Sequence, residues 1–215
     1  MKEKRRRVHK ASNGKFGYLH VRKMNYDTFW PFQHEVFSEG YGKEGLLIDV
    51  RGNTGGFTAD RMLQILLGGD HSRAVTRTRG AGYLFGYWGR PVWSKPIVVL
   101  CDENTFSNGE IFSHAIKTLK RGKLVGRETG GGVIATTDRP LLDMGTFRDA
   151  HKGWFLLDGT DMEHHGAKPD FEVDLTPADV DAGRDPQLDK AIEVLGDEIK
   201  KWRDSHPKLS LQYAR

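Results

Sequence analysis

The sequence predicts an α/β protein in which helices flank a β-sheet. From Phe16 onward, short apolar runs alternate with amphipathic stretches, which is the pattern of folds that layer helices on a sheet. Glycine is abundant, at 26 of 215 residues, and clusters in loops where the backbone must approach another group closely. A length of 215 residues with 37% hydrophobic and 29% charged content suits one globular domain.

Each predicted element has a local reason in the sequence. The helix that begins at Asn108 carries one apolar stripe, and the last helix begins where Asp185 can act as N-cap before Pro186. Residues 133–175 have the pattern of short antiparallel strands joined by turns. The other predictions are strands at Phe16–Val21, Gly45–Arg51, Lys95–Cys101 and Leu124–Gly126, and helices at Tyr26–Gly40, Thr58–Leu67 and Asn108–Lys120.

Charge and cysteine content exclude several classes of protein. Residues 1–10 hold six Lys or Arg and one Glu, which accounts for the net charge of +4 and leaves the rest of the chain close to neutral. We therefore expect a solvated basic linker there and no nucleic-acid partner. The single Cys101 excludes an internal disulfide framework and a cysteine-based zinc site. The sequence has neither an apolar run of about 20 residues nor the apolar start of a signal peptide, so no membrane partner is expected.

A glycine pair follows the strand at Gly45–Arg51. In the segment Asp49–Gly56, a buried strand runs into adjacent glycines and then a helix. Backbone N–H groups of such glycines can approach a ligand closely, as in an anion or oxyanion site. The alternative is a tight turn with no ligand. The spacing matches neither a Walker loop nor the dinucleotide-binding fingerprint.

Ser107 lies in a second strand-to-helix loop. Its hydroxyl would sit at a helix N-terminus, where the helix dipole favours a developing negative charge, so Ser107 is a candidate nucleophile. The alternative is purely structural, because Ser107 followed three residues later by Glu110 is a capping box. The residues alone leave both interpretations open.

The histidines offer weaker candidates. His164 and His165 follow several acidic residues and could belong to a metal site or an acid/base group, but neighbouring residues of an extended segment point to opposite faces. We therefore expect no metal. His20 could act as a base for Ser107, yet it lies in an alternating strand and we interpret it as structural.

Taken together, six segments resemble the catalytic core of tricorn-type serine peptidases, in the wider family of carboxy-terminal processing peptidases. They occur in the family's order from Phe16 to about Leu195. The segments are Tyr18–Val21, Leu47–Arg51 with the glycine pair, Phe106–Phe112, Leu124–Gly126 with Gly130–Gly132, Glu163–Asp170 and Gly183–Asp189. The resemblance implies a crotonase/ClpP-like core of mixed β-sheet with flanking helices.

The resemblance also implies roles for individual residues. Ser107 would be the nucleophile, Gly56 and Asn108 would supply the backbone N–H groups of the oxyanion hole, and Glu163 would be the acidic member of the charge relay. Family members commonly have Asp where this chain has Asn108, which should matter little because the backbone donates. No cofactor is implied. Asp70 lies near the family's specificity segment, but counting from Gly56 does not assign it.

The same resemblance places the catalytic histidine and a peptide-binding PDZ domain upstream of the position of Phe16. We therefore expect residues 1–15 to be a linker remnant and residues 16–215 to be the catalytic core. The serine would then lack its base, so little or no peptidase activity is expected of the chain alone.

The implied partners are a peptide or unfolded polypeptide substrate and, in the full-length protein, further copies of itself, in the cytoplasm. Two other functions stay open. One is a crotonase-like enzyme acting on acyl thioesters, which shares a glycine-loop oxyanion hole but has no use for a serine in the second loop. The other is a non-catalytic peptide-binding or assembly module of the same fold.

Overall fold

The computed structural model describes residues 2–68, 72–75, 83–85 and 92–207. Helices and strands alternate through most of the chain, as the apolar pattern predicts. The helices are α1 (Lys2–Ala11), α2 (Tyr26–Gly40), α3 (Ala59–Leu66), α4 (Asn108–Thr118), α5 (Pro177–Asp181) and α6 (Pro186–Ser205). The strands are β1 (Phe16–His20), β2 (Gly45–Asp49), β3 (Ser72–Ala74), β4 (Tyr83–Phe85), β5 (Ile97–Cys101), β6 (Lys123–Gly126), β7 (Ala135–Pro140), β8 (Thr146–Lys152) and β9 (Phe171–Glu172).

Five strands form a parallel sheet in the order β1-β2-β5-β6-β9. The predicted α/β class with flanking helices is confirmed. The antiparallel pairing expected within residues 133–175 is present as the hairpin β7–β8, but this hairpin forms a two-stranded sheet of its own. β9, from the same stretch, instead joins the parallel sheet beside β6.

Both faces of the sheet are buried, because alternate residues of each strand enter different cores. Leu46 and Ile48 pack with Phe32 of α2 and with residues of α3 and α4. Leu47, between them, packs in a second core with residues of α1 and α6, among them Leu195. A buried central sheet of this kind explains why β2 and β5 have continuous apolar sequences.

Strands β2, β5 and β6 all end at one edge of the sheet, since they run parallel. The loops that follow them, residues 50–58, 102–107 and 127–134, therefore meet at that edge. In open parallel sheets this carboxyl edge is where ligands bind. In the described part of the chain, no helix is both long and apolar enough to cross a membrane.

The expectation of a solvated linker at the N-terminus is wrong, because these residues form helix α1 and pack on the sheet. Val8 is fully buried in the second core. Arg5 forms ion pairs of 2.9 and 3.0 Å with Glu35 and Glu39 of α2. Three of the six cations of this segment, Lys4, Arg5 and Arg7, thus pair with acidic side chains distant in sequence, which local composition cannot reveal.

Arg51 joins the end of β2 to the start of α6 through a buried ion network. Its guanidinium donates to both carboxylate oxygens of Asp49, at 2.9 and 2.7 Å, and to both of Asp185, at 2.9 and 3.0 Å. Tyr18 Oη donates to Asp49 at 2.6 Å, and Asp185 also accepts from Leu188 N as the predicted N-cap of α6. Burial alone would raise the pKa of Asp49, but the hydrogen bonds and charge of Arg51 outweigh it and hold that pKa well below its usual range.

Replacing Arg51 should destabilise the whole fold. Arg51→Met leaves the two carboxylates with only the partly exposed ammonium of Lys4, whose Nζ lies 3.3 Å from Asp49 and 3.7 Å from Asp185. The variant should lose about 3 kcal/mol of unfolding free energy, the lower end of the cost of breaking a buried ion pair. Urea denaturation followed by circular dichroism measures the change. Arg148→Met, at a position where the side chain is 77% exposed, is the control and should cost less than about 0.5 kcal/mol. A loss below 1 kcal/mol for Arg51→Met would contradict the structural role of the network.

The network also predicts how stability depends on pH. Burial raises the pKa of Asp185, but Arg51 lowers it further, so the net shift is downward, as it is for Asp49. As the pH falls, the two carboxylates therefore take up protons in the unfolded chain at a higher pH than in the folded chain. This contribution to stability is complete above about pH 5 and is lost as pH falls below about 4. Urea midpoints between pH 7 and 3 measure it. Asp185→Asn should make the decline shallower, and an equally steep decline in that variant would argue against the network as its source.

Candidate active site

Backbone hydrogen bonds tie together the three loops at the carboxyl edge of the sheet. Phe106 N, in the loop after β5, donates to Asn53 O in the loop after β2 at 2.8 Å. Ser107 N donates to Gly132 O, in the loop after β6, at 3.0 Å. Ser107 therefore lies where the three loops meet.

The backbone of Ser107 is strained. The residue directly precedes α4 and has φ 54° and ψ −119°, a combination that non-glycine residues rarely adopt. Such strain persists only where surrounding contacts impose it, and it is concentrated at functional sites. A sharp strand-to-helix turn of this kind presents the serine hydroxyl at the helix N-terminus, as in nucleophile elbows. The geometry favours the nucleophile interpretation over that of a simple cap.

The glycine pair lies directly against Ser107. A Cβ on Gly55 would come within 2.6 Å of Ser107 Cβ, closer than real Cβ atoms approach, and within 3.1 Å of Asn108 N. A Cβ on Gly56, which has φ +143°, would lie 2.0 Å from Met24 O. Both positions therefore require glycine, because the loop must approach the start of α4 on one side and residue 24 on the other.

Among the described residues, two backbone N–H groups near Ser107 donate no hydrogen bond, those of Gly56 and Asn108. The side chain of Asn108 is engaged elsewhere, because its Oδ1 accepts from Ala59 N at 2.8 Å. It thereby caps α3, whose N-cap residue Thr58 makes no capping hydrogen bond with its own side chain. The two free N–H groups fit the predicted oxyanion donors.

Glu163 belongs to the same cluster but makes no hydrogen bond to Ser107. Its Oε2 accepts from Val133 N at 2.7 Å and from Ile134 N at 3.0 Å. The adjoining His164 N donates to Gly131 O at 2.8 Å, so this segment is tied to the loop that contacts Ser107. Oε1 of Glu163 has no hydrogen-bond partner in the part of the chain that the structure describes.

No histidine among the described residues is hydrogen-bonded to Ser107. His20 is the last residue of β1, and its Nε2 lies 3.1 Å from Arg51 O, in keeping with a structural role. His114 Nε2 lies 3.1 Å from His165 O, and burial lowers the pKa of His114. The described residues contain no group of three side chains that could hold a metal ion. Asp70 lies outside the described residues.

Two buried residues of this site have roles that the sequence does not indicate, beyond the cap predicted for Glu110. Asn53 is fully buried; its Nδ2 donates to Val21 O at 2.7 Å and its Oδ1 accepts from Gly55 N at 2.8 Å, which shapes the glycine loop. Glu110 is also fully buried and accepts from Ser107 N at 3.0 Å, the returning half of the predicted capping box. The sequence offers no signal for the burial of Glu110, which only the folded chain buries on the same side of α4 as Ser113, three residues on.

The contact between Gly55 and Ser107 predicts an asymmetry between two alanine variants. Gly55→Ala and Gly52→Ala both place a Cβ on a residue with positive φ, at +86° and +66°, but only Gly55 has a neighbour within 4 Å. Gly55→Ala should therefore lose about 1–3 kcal/mol more unfolding free energy than Gly52→Ala. Urea denaturation of both variants measures the difference. Equal losses would mean that the loop does not press on Ser107.

Comparison with known proteins agrees with this geometry. Residues 15–173 match Peptidase family S41. The chain is 37% identical over 202 residues to a tricorn-like protease C-terminal subunit of Sulfurisphaera tokodaii and covers 22% of it. It is 34% identical over 205 residues to the tricorn protease of Thermoplasma acidophilum, with 94% of this chain and 19% of that protein covered.

A solved structure of tricorn protease superposes with a TM-score of 0.77 at 32% identity, over 92% of this chain and 19% of that one. The photosystem II D1 C-terminal processing protease superposes with a TM-score of 0.58 at 25% identity, over 84% and 46%. The chain thus spans about a fifth of the length of its tricorn relatives. On its sequence match and its fold, this chain belongs to peptidase family S41.

Proposed function

We propose that this chain is the core of a serine-type peptidase in which Ser107 is the nucleophile. The observation that carries the proposal is the unpaired N–H groups of Gly56 and Asn108 beside a strained serine at the carboxyl edge of the sheet. Membership of a peptidase family and relatives named as proteases support a peptide or unfolded polypeptide as the substrate.

In this mechanism, Ser107 Oγ attacks the carbonyl carbon of the scissile peptide bond. The carbonyl oxygen becomes an anion that accepts hydrogen bonds from Gly56 N and Asn108 N, which are already oriented and cost no reorganisation. The C–N bond then breaks, and the amine leaves with the proton that Ser107 gave up. Water hydrolyses the resulting acyl ester and regenerates the serine.

The base that takes the Ser107 proton comes from outside the described residues in this proposal. A histidine is the residue type that fits, and Glu163 Oε1 is the acceptor available to orient it. Its Oε2 is held by Val133 N and Ile134 N, so the carboxylate has a fixed direction. Glu163 would then stabilise the imidazolium that forms, without itself being protonated.

A covalent probe tests the role of Ser107. A fluorophosphonate should form a bond between Ser107 Oγ and phosphorus as the P–F bond breaks; fluoride leaves and the serine proton passes to the buffer. We expect slow labelling at Ser107, faster when imidazole is added as an external base. Intact-protein mass spectrometry with peptide mapping measures the rate and the site.

Two serine variants test whether the adduct is specific to Ser107. Ser107→Ala should abolish the adduct, whereas Ser205→Ala, at an exposed serine of α6, should leave it unchanged. Absence of any adduct on Ser107 would favour the acyl-thioester enzyme or the non-catalytic module, neither of which needs a reactive serine there.

Peptide turnover tests the external base separately. Without it, the chain should hydrolyse fluorogenic peptides at least about a thousandfold more slowly than a full-length homologue. Turnover within tenfold of the homologue, abolished by Ser107→Ala, would show that the base lies inside this chain. Loss of that turnover in His20→Ala would identify His20 as the base.

A further inference from the structure

A buried carboxylate that the proposed mechanism does not use lies against the backbone of Ser107. Glu110 is 0% exposed. Its Oε1 accepts from Ser107 N at 3.0 Å and Gly132 N at 2.8 Å, and its Oε2 accepts from Thr129 Oγ at 2.7 Å and from Gly131 N. Among the described residues, Glu110 has no ion-pair partner.

These four donors require a carboxylate. A buried carboxylate without a cation is costly unless hydrogen bonds saturate it, and here two donors reach each oxygen. Three of the donors are backbone N–H groups, which cannot turn round to accept. A carboxamide has only one acceptor atom, so Gln at position 110 could not serve all four groups.

The carboxylate also determines which N–H groups remain for an oxyanion. Ser107 N points to Glu110 Oε1 and Gly132 O, so it is not available to a substrate. The next N–H along the chain, that of Asn108, is left free. Glu110 thus occupies the N–H of Ser107, whereas the N–H of Asn108 has no acceptor among the described residues.

Four consecutive N–H groups of the loop after β6 end on carboxylates. Those of Gly131 and Gly132 are held by Glu110, and those of residues 133 and 134 by Glu163. Because Ser107 N also donates to Gly132 O, any shift of this loop would move the backbone of the serine.

We propose that Glu110 is a positioning residue for Ser107, holding the strained elbow and the Gly131–Gly132 segment in the geometry that the nucleophile needs. This inference rests on the proposed function, since it assigns Glu110 a role in the reactivity of Ser107. Glu110 touches neither substrate nor reacting atoms, and acts only through the backbone.

Glu110→Gln tests the proposal with a side chain of nearly the same shape. Its oxygen can still accept from Ser107 N and Gly132 N, and the Thr129 hydroxyl can rotate to accept from the new NH₂. Gly131 N–H then faces a donor and loses its partner. We expect amide hydrogen exchange of Gly131 to accelerate at least tenfold, with β5 unchanged, as measured by NMR.

The reactivity of Ser107 supplies a readout that a purely structural role would not move. With a fluorophosphonate, kinact of Glu110→Gln should fall about ten- to a hundredfold, since small displacements of a nucleophile have effects of that size. KI should stay within threefold. Asp170→Asn is the matched control: it also removes one charge and a carboxylate that accepts a backbone N–H, that of Leu124 at 2.8 Å, and should leave kinact within twofold.

Glu110→Asp covers the case in which Glu110→Gln does not fold. It keeps the charge but is one methylene shorter, so it cannot reach both pairs of donors, and kinact should again fall with KI unchanged. Wild-type kinact in a folded Glu110 variant would overturn the proposal, as would unchanged exchange at Gly131. If the wild-type chain itself does not label, the proposed function fails, and the exchange measurement alone decides whether Glu110 holds the loop.

Discussion

The approach of the glycine pair to Ser107, with no Cβ between them, is the contact on which the geometry of the site depends. It brings Gly55, in the loop after β2, against Ser107 and Asn108 at the start of α4. Parallel pairing of β2 with β5 makes this contact possible, because the two strands end side by side. Asn53 O accepts from Phe106 N in the loop after β5, and the side chain of Asn53 holds its own loop through Val21 O and Gly55 N.

The ion network of Arg51 supports the same edge from the other side of the sheet. Asp49 is the last residue of β2, and the loop that reaches Ser107 begins immediately after it. By joining Asp49 to Asp185, Arg51 ties this strand end to the start of α6. The glycine loop therefore departs from a strand whose end is fixed by a buried cation, and its position does not depend on the loop's own contacts alone.

Much of the fold could be predicted because its signals are local. The helix Tyr26–Gly40 has the predicted bounds, and Asp185 caps α6 as its position before Pro186 indicates. The docking of α1 could not be predicted in this way. Its acidic partners, Glu35 and Glu39, lie about 30 residues away in sequence, and only the folded chain brings them to Arg5.

In the candidate site, too, the residues with local sequence signals could be predicted and those that depend on distant contacts could not. Ser107 and Gly56 stand in short motifs whose local pattern already indicates a loop before a helix. The part played by Glu110 was hidden, because three of its four donors come from residues 129–132. Its spacing from Ser107 indicates a cap, but the capping bond from Ser107 N is only one of the four hydrogen bonds that Glu110 accepts.

Two carboxylates accept hydrogen bonds from the backbone N–H groups of the loop after β6, and this affects what the edge can bind. A run of glycine N–H groups usually attracts phosphate or sulfate. Here residues 131–134 already donate to Glu110 and Glu163, which also surround the loop with negative charge. Stable anions are therefore disfavoured at this loop. In the proposed function, the N–H groups of Gly56 and Asn108 would instead hold a negative charge that exists only briefly, while a bond at Ser107 is being made or broken.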